Sequence, residues 1–389
     1  MKSLTIALAI ALSTPAAAAA QGLGEKVMAV FSAPVHPIVE SVGPGGGFGA
    51  GVAYSPKLRA NEPWSFRTKA LITPRRYWDT EASFQYTTER VHAEAYGRAR
   101  EMTRLDFYGL GRDTLLADRA SFRYSDRTVG GLASVPLRLS RTGLRIGARA
   151  ESIFPDVGSG KNPDVPSIEQ AFTDEDAPGL VRQPNFAAYT GFVVLQFPDD
   201  LNQLSRFGAD VRASYTSFRE MGGSEYDFGR VTLEAQQRLP GLGDSHKLTL
   251  HQLYSGASAA SGSRVPFYLM ETLGGAGEVR SYNDQILGSD ATKATMRGFR
   301  DLRFRGPDLL LLQAEYRLKV RGPVDVTAFV DAGTVSTRRG DLDLSRLRHS
   351  YGFSTSVMTI DATAVRADFG FGGNEGFHVF FSVGPIFQQ

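Results

Sequence analysis

The chain has 389 residues, with 43 lysine and arginine residues against 41 aspartate and glutamate residues, and no cysteine. Such balance gives no electrostatic reason for a nucleic-acid partner, and the lack of cysteine excludes a disulfide framework. The chain holds 42 glycines and 25 phenylalanines but no apolar run long enough for a transmembrane helix. This composition favours a transmembrane β-barrel, in which only every second strand residue must be apolar.

The N-terminus has the pattern of a secretory signal peptide. Lys2 precedes an apolar stretch from Leu4 to Leu12, and small residues from Ala16 to Ala20 follow it. A charged start, a short apolar core and an Ala-x-Ala exit predict an exported chain, with residues 1–20 as the signal. We expect residues 21–45 to form a short periplasmic segment and residues 46–389 to form the barrel.

The remaining sequence is divided into short alternating segments. Polar and apolar residues alternate in segments of about ten residues, the length that a tilted strand needs to cross a bilayer. In 308–320, for example, Leu310, Leu312 and Ala314 share one face, while Gln313 and Glu315 share the other. We predict an all-β fold, a sixteen-stranded antiparallel transmembrane β-barrel, with strands at 46–54, 64–73, 76–87, 91–98, 102–109, 119–134, 141–152, 185–196, 205–217, 225–238, 246–255, 308–320, 323–335, 349–359, 363–371 and 377–387. A soluble sandwich would also alternate, but it rarely sustains sixteen such strands.

Connection lengths predict which end of the barrel faces outward. The long connections, 153–184, 256–307 and 336–348, all follow odd-numbered predicted strands, which makes them extracellular if the first strand runs outward. The short connections, such as Thr73-Pro74-Arg75 and the turn around Gly322, follow even-numbered strands and are expected in the periplasm.

Two motifs carry a family resemblance. Arg297-Gly298-Phe299 lies in the long polar loop 256–307, and Phe329-Val330-Asp331-Ala332-Gly333 lies in a following strand. This order and spacing resemble the outer-membrane assembly-factor superfamily, also called the bacterial surface antigen family, which includes BamA-, TamA- and FhaC-type barrels. The resemblance implies that the loop folds into the lumen and that Arg297 meets Asp331. Without the family pattern, a solvated surface loop with four arginines would be the simpler interpretation.

Three further residues complete this candidate site. Glu315 lies on the polar face of the neighbouring strand and is a candidate second acceptor for Arg297. Gly298 and Gly333 leave room for close backbone approach. We therefore expect these residues, with Phe299, to form a loop-lumen lock.

The predicted last strand also resembles a family feature. It ends near an aromatic, Phe387, as in the C-terminal signal by which assembly machinery recognises client barrels, although Gln388 and Gln389 follow. Gly384-Pro385 interrupts this strand, since proline cannot donate to the ladder. This pair either weakens the barrel seam, as a glycine does in the family, or simply ends hydrogen bonding at the membrane edge.

By resemblance, the expected function is outer-membrane protein assembly or transport in the bacterial outer membrane. The alternative is a passive pore or structural protein without client insertion activity. Residues 22–45 are too few for a periplasmic POTRA domain, the part of the family that grips clients. Implied partners are outer-membrane lipids, unfolded outer-membrane protein clients and periplasmic factors. No enzyme, metal or cofactor is expected, because the chain has no Gly-x-Ser-x-Gly and its six histidines lack metal-site spacing.

Overall fold

The computed structural model describes residues 33–56, 62–139, 142–197, 208–240, 245–275, 295–338, 341–358 and 363–383. The predicted signal peptide lies outside these ranges. In chain order, the strands β1 to β18 are Val35–Ser41, Phe48–Tyr54, Trp64–Ile72, Trp78–Thr87, His92–Phe107, Ala120–Leu139, Thr142–Ser159, Phe186–Phe197, Gly208–Glu220, Phe228–Pro240, His246–Ala259, Glu271–Leu273, Phe304–Gly306, Asp308–Arg321, Val324–Ser336, Arg348–Met358, Thr363–Phe371 and Phe377–Val383.

Sixteen of these strands form one antiparallel sheet, in which each strand pairs with the next along the chain. The remaining two, β12 and β13, form a small separate hairpin. Strands β1 and β18 lie side by side, with Cα atoms within 8 Å of each other. The predicted sixteen-stranded barrel is therefore confirmed. Within the described ranges, no helix has both the length and the apolar character needed to span a membrane.

Alternation along each strand separates a lumen face from a lipid face. On β15, Asp325, Thr327 and Asp331 are buried towards the lumen, whereas Val324 and Val330 are exposed on the outer surface. This arrangement follows from the period of two in strand side chains. In a barrel, the exposed apolar residues face lipid and the buried polar residues must find partners inside.

Two errors in the predicted strands cancel, so that the total of sixteen wall strands is still correct. The structure contains an additional first strand, Val35–Ser41, inside the segment predicted to be periplasmic, so the barrel begins before residue 46. Pro37 lies within this strand, across from Val52 of β2, and proline disfavours the prediction of a strand because it cannot donate to the ladder. Conversely, the predicted strands 91–98 and 102–109 are one strand, β5, whose pairing with β6 shifts register between Met102 and Leu105.

The additional first strand reverses the direction predicted for the next three strands. The turn at Thr73–Tyr77 was expected in the periplasm, but it lies at the same end as the long loops. Thr103 donates a hydrogen bond to the carbonyl of Arg75 at 2.9 Å, and its own carbonyl accepts from Lys161 in the long loop after β7. The predicted periplasmic position of this turn is therefore wrong.

Cysteine labelling tests this corrected topology, since the native chain has no cysteine. Val181 in the loop after β7 is 80% exposed, and Pro74 is exposed in the reassigned turn. We expect Val181→Cys and Pro74→Cys to react with an impermeant maleimide on intact cells, because both lie at the long-loop end. Pro323→Cys, in the turn between β14 and β15, should react only after permeabilisation. Labelling of Pro323→Cys but not Pro74→Cys on intact cells would contradict this orientation.

Candidate functional site

The loop between β11 and β14 enters the barrel. Its hairpin, β12 and β13, and its segment 295–303 pack against the inner faces of β14 and β15. One apolar cluster joins the loop to the wall, and it consists of Leu273, Met296, Phe299, Phe304, Leu309, Leu311 and Val335. This contact explains why the inward residues near the start of β14, Leu309 and Leu311, are apolar, since there the loop covers the face that elsewhere meets a polar lumen.

Among the described residues of this loop, Arg297 is the most deeply buried cation. Its side chain and that of Asp331 are both 0% exposed. The backbone N–H and Nε of Arg297 each donate to Asp331 Oδ2 at 3.0 Å, and a terminal guanidinium nitrogen donates to Oδ1. We call Arg297 and Gly298 the loop tip. Two parallel side-chain bonds and one backbone bond fix both its position and its orientation.

Two further acidic residues and an aromatic ring complete the environment of Arg297. Its guanidinium donates to Glu315 and lies 3.5 Å from Asp368 Oδ1. The ring centroid of Phe329 lies 3.5 Å from the guanidinium carbon, the geometry of a cation–π contact. The structure therefore brings together Arg297, Asp331 and Glu315, which the sequence analysis had selected.

The sequence analysis missed a second cation, Arg366 on β17. Arg366 donates to Glu315 Oε1 at 2.8 Å and to Asp368 Oδ1 at 2.9 Å, so each of these carboxylates contacts both arginines. We call Arg297, Glu315, Asp331, Arg366 and Asp368 the lumen ion cluster. Burial of so many charges is tolerable only because every member is paired.

Strand register assembles this cluster. Asp331 lies directly across from Gln313 on one side and from Ser350 on the other. Gln313 Nε2 donates to Asp331 Oδ1 at 3.0 Å, and the Ser350 hydroxyl donates to Oδ2 at 3.2 Å. Asp368 is similarly paired with Ser354, whose hydroxyl donates to it at 2.6 Å. Alternation signals for β16 and β17 could have placed these serines and Asp368 in the lumen, but no local motif marks them.

Gln313 also connects the cluster to the loop backbone and to a histidine. Its Nε2 donates to the carbonyl of Thr295 at 2.9 Å. Because this nitrogen also donates to Asp331, the amide oxygen of Gln313 faces His251 Nδ1, at 2.8 Å. The other ring nitrogen of His251 lies 2.8 Å from Glu234. A polar chain thus runs from β10 across the lumen wall to the loop tip.

The other predicted site residues lie around the tip. Phe299 is 5% exposed, and its ring packs edge-on against Phe304 at 5.3 Å between centroids. A Cβ at Gly333 would lie 2.9 Å from Leu273 Cδ1, so this glycine leaves room for the loop. Gly298 packs against the backbone of β17. Gly384, Pro385 and Phe387 lie outside the described residues, and their predicted roles remain predictions.

Aromatic side chains of two long loops pack against the barrel wall near the long-loop end. The ring of Phe267, from the loop after β11, lies 5.2 Å from both Phe107 and Phe122 of the wall. Phe172, from the loop after β7, lies 4.8 Å from Phe107. Phe107 and the adjacent Tyr108 are buried, so they do not belong to an exposed aromatic girdle at the membrane interface.

An ion-paired cluster ties the outer loops together above this aromatic layer. Arg264 donates to Asp174 and to Glu225, each at 2.7 Å, and Arg182 donates to Glu225 at 2.9 Å. These charge-assisted bonds from Arg264 and Arg182 lower the pKa of the Glu225 carboxyl. The loops after β7, β9 and β11 are thereby held against one another. In the described part of the chain, no cluster of histidine and acidic side chains has the arrangement of a metal site.

Comparison with known proteins identifies the domain. Residues 199–386, which include the loop, the lumen ion cluster and the last eight wall strands, match the family model described as the Omp85 superfamily domain. This part of the chain is therefore an Omp85 superfamily domain. The match confirms the family resemblance and places the barrel in the bacterial outer membrane.

Two solved structures share the fold of this chain. BamA from Haemophilus ducreyi lacking POTRA domains 1–3 has a TM-score of 0.57 at 13% sequence identity, covering 90% of this chain and 69% of that one. CdiB from Escherichia coli has a TM-score of 0.58 at 11% identity, covering 90% of this chain and 62% of that one. This chain therefore spans under two thirds of the CdiB chain. No individually characterised protein sequence matches the chain significantly.

Double-mutant cycles test whether the lumen ion cluster holds the Omp85 loop. Thr295 is 6% exposed, so Thr295→Cys provides a buried reporter beside the tip. Arg297→Ala or Asp331→Asn should each accelerate labelling of this cysteine by a water-soluble maleimide. Each substitution leaves a buried charged partner without its counter-charge, at a cost of about 1–3 kcal/mol. The double variant should be labelled no faster than the faster-labelled of the two single variants. This result corresponds to a coupling energy of about 1 kcal/mol or more between Arg297 and Asp331.

An exposed ion pair provides the matched control. Arg346 and Asp113 lie 3.1 Å apart, with side chains 56% and 59% exposed. Arg346→Ala and Asp113→Asn should leave Thr295→Cys labelling unchanged, because a solvated pair contributes at most about 1 kcal/mol. Strictly additive effects of Arg297→Ala and Asp331→Asn would show that the two residues do not act together.

Proposed function

We propose that this barrel acts in outer-membrane protein assembly or translocation. The observation that carries the proposal is the buried contact of Arg297 with Asp331 and Glu315 inside an Omp85 superfamily domain. The contact fixes a long loop inside the barrel and joins it to consecutive wall strands. Such a loop is suited to holding the barrel in one of two states while clients insert or pass.

The contents of the lumen weigh against the alternative of a passive pore. A barrel of sixteen strands can enclose a water-filled channel. Here, however, segment 295–306 is almost entirely buried against the inner wall, and Phe267 of the loop packs against wall aromatics near the long-loop end. Solutes would have to displace a packed apolar cluster and a paired ion cluster. The described residues therefore support a regulated passage over a permanently open one.

The clients of this barrel would be unfolded or partly folded chains of outer-membrane proteins. The similar structures are those of BamA and CdiB, and each shares the fold with this chain at low sequence identity. Strand-forming clients match a barrel whose first and last strands lie side by side, since an open seam would present unpaired backbone groups to an incoming strand.

Depletion of the protein tests this function. Cells depleted of it should lose a subset of outer-membrane proteins by quantitative proteomics, and the wild-type chain should restore them. Arg297→Ala should restore them incompletely, although the barrel itself still accumulates and shifts on heating as a folded barrel does. Arg346→Ala, the same substitution in an exposed ion pair, should restore them fully.

Electrical recording separates the two functions. If Arg297→Ala raised the conductance of the barrel in planar bilayers while depletion left the outer-membrane proteome unchanged, the passive-pore alternative would replace this proposal. The assembly proposal predicts a changed proteome whether or not conductance rises.

A further inference from the structure

Three glycines meet where the loop tip touches the wall. Gly298 lies on the loop, and Gly370 and Gly372 lie on and just after β17. A Cβ built on Gly370 would lie 2.9 Å from Gly298 N and would overlap the carbonyl group of Arg297. A Cβ on Gly372 would lie 3.0 Å from Gly298 Cα, and one on Gly298 would overlap the backbone carbonyl of Phe371.

Backbone conformation does not require glycine at any of these positions. None of the three adopts a positive φ, and Gly372 has a φ of −129°. By contrast, the adjacent turn glycines Gly373 and Gly376 have positive φ and open space around them. Close approach of two backbones is therefore the sole reason for glycine at Gly298, Gly370 and Gly372.

The inner face of the second half of β17 contacts the loop tip. Its lumen-facing residues Arg366 and Asp368 join the lumen ion cluster, and the next residues of the same face are Gly370 and Gly372. One strand thus supplies the charges that meet the tip and the flat surface on which the tip rests. Strand β17 also pairs with β18, with Gly370 directly across from His378.

A second contact ties the loop to the same region. Arg303, which follows the tip, donates to Glu375 in the turn between β17 and β18, and both side chains are less than 8% exposed. Arg303 also donates to the carbonyl of Thr114 at 2.7 Å. The loop is therefore attached to β17 and its following turn by backbone packing as well as by charge.

We propose that Gly370 and Gly372 are positioning residues that form a glycine saddle for the Arg297-Gly298 tip, which sets the register of the tip against β17, next to the last strand. The saddle allows the backbone to come close enough for Arg297 to reach Asp331, Glu315 and Asp368 together. Side chains at these positions would lift the tip and separate the charges. Only the consequence for client insertion rests on the proposed function; the docking itself does not.

Alanine substitutions test the saddle without removing any charge. In the Thr295→Cys background, Gly370→Ala and Gly372→Ala should each raise the maleimide labelling rate at least about tenfold. Gly298→Ala should do the same, and because it lies on the loop it leaves the residues of the wall strands unchanged. Gly97→Ala and Gly191→Ala are matched controls in wall strands, with ordinary φ and nothing within 4 Å of the added Cβ. Heat-shifted gel migration should show that all five variants are folded barrels.

Labelling rates for Gly298→Ala and Gly372→Ala within about twofold of the two controls would overturn the saddle. The proteome of cells carrying the same variants gives a separate readout. Faster labelling with an unchanged outer-membrane proteome would support the saddle and contradict the proposed function, so the two failures are distinguishable.

Discussion

The structure depends on neutralising one guanidinium group inside a barrel. A fully buried Arg297 would be prohibitively costly if it were unpaired, because removal of an ion from water costs several kcal/mol even after relaxation. Its cost is offset by Asp331, Glu315 and Asp368, by the second cation Arg366 and by the ring of Phe329. These partners come from three different wall strands. The loop can therefore occupy this position only when β14, β15 and β17 are in register.

This requirement links local sequence to global architecture. Leu309 and Leu311, the inward leucines near the start of β14, pack against the loop, and the next inward residues, Gln313 and Glu315, bind its tip. Strand β17 similarly changes from charged residues to glycines as the tip approaches its backbone. The same part of the wall thus contacts the apolar side chains, the charged side chain and the backbone of one loop. A barrel that merely filled its lumen would not need three matched surfaces.

Much of this arrangement could be predicted from the sequence, and the exceptions have physical causes. The alternation of polar and apolar residues predicted most of the wall strands. The two family motifs predicted the contact of Arg297 with Asp331, because each residue lies within one of those motifs. Arg366, Asp368 and the glycine saddle were missed since each lies in an ordinary strand and acquires its role only through register across the sheet. Strand β1 was missed because Pro37 resembles a strand breaker, and β5 was divided because a register shift interrupts its pattern. Both local irregularities are tolerated by their neighbours in the barrel.

Covalent capture of the docked tip tests the central claim most directly. Gln313 Nε2 lies 2.9 Å from the carbonyl oxygen of Thr295, so cysteines at these two positions should lie within reach of a short bismaleimide. We predict that Thr295→Cys combined with Gln313→Cys is cross-linked by this reagent in native membranes, whereas Thr295→Cys combined with Gly191→Cys, on the wall strand β8, is not. If both single variants fold and the Thr295–Gln313 pair still fails to cross-link, the loop tip does not rest where the lumen ion cluster requires it.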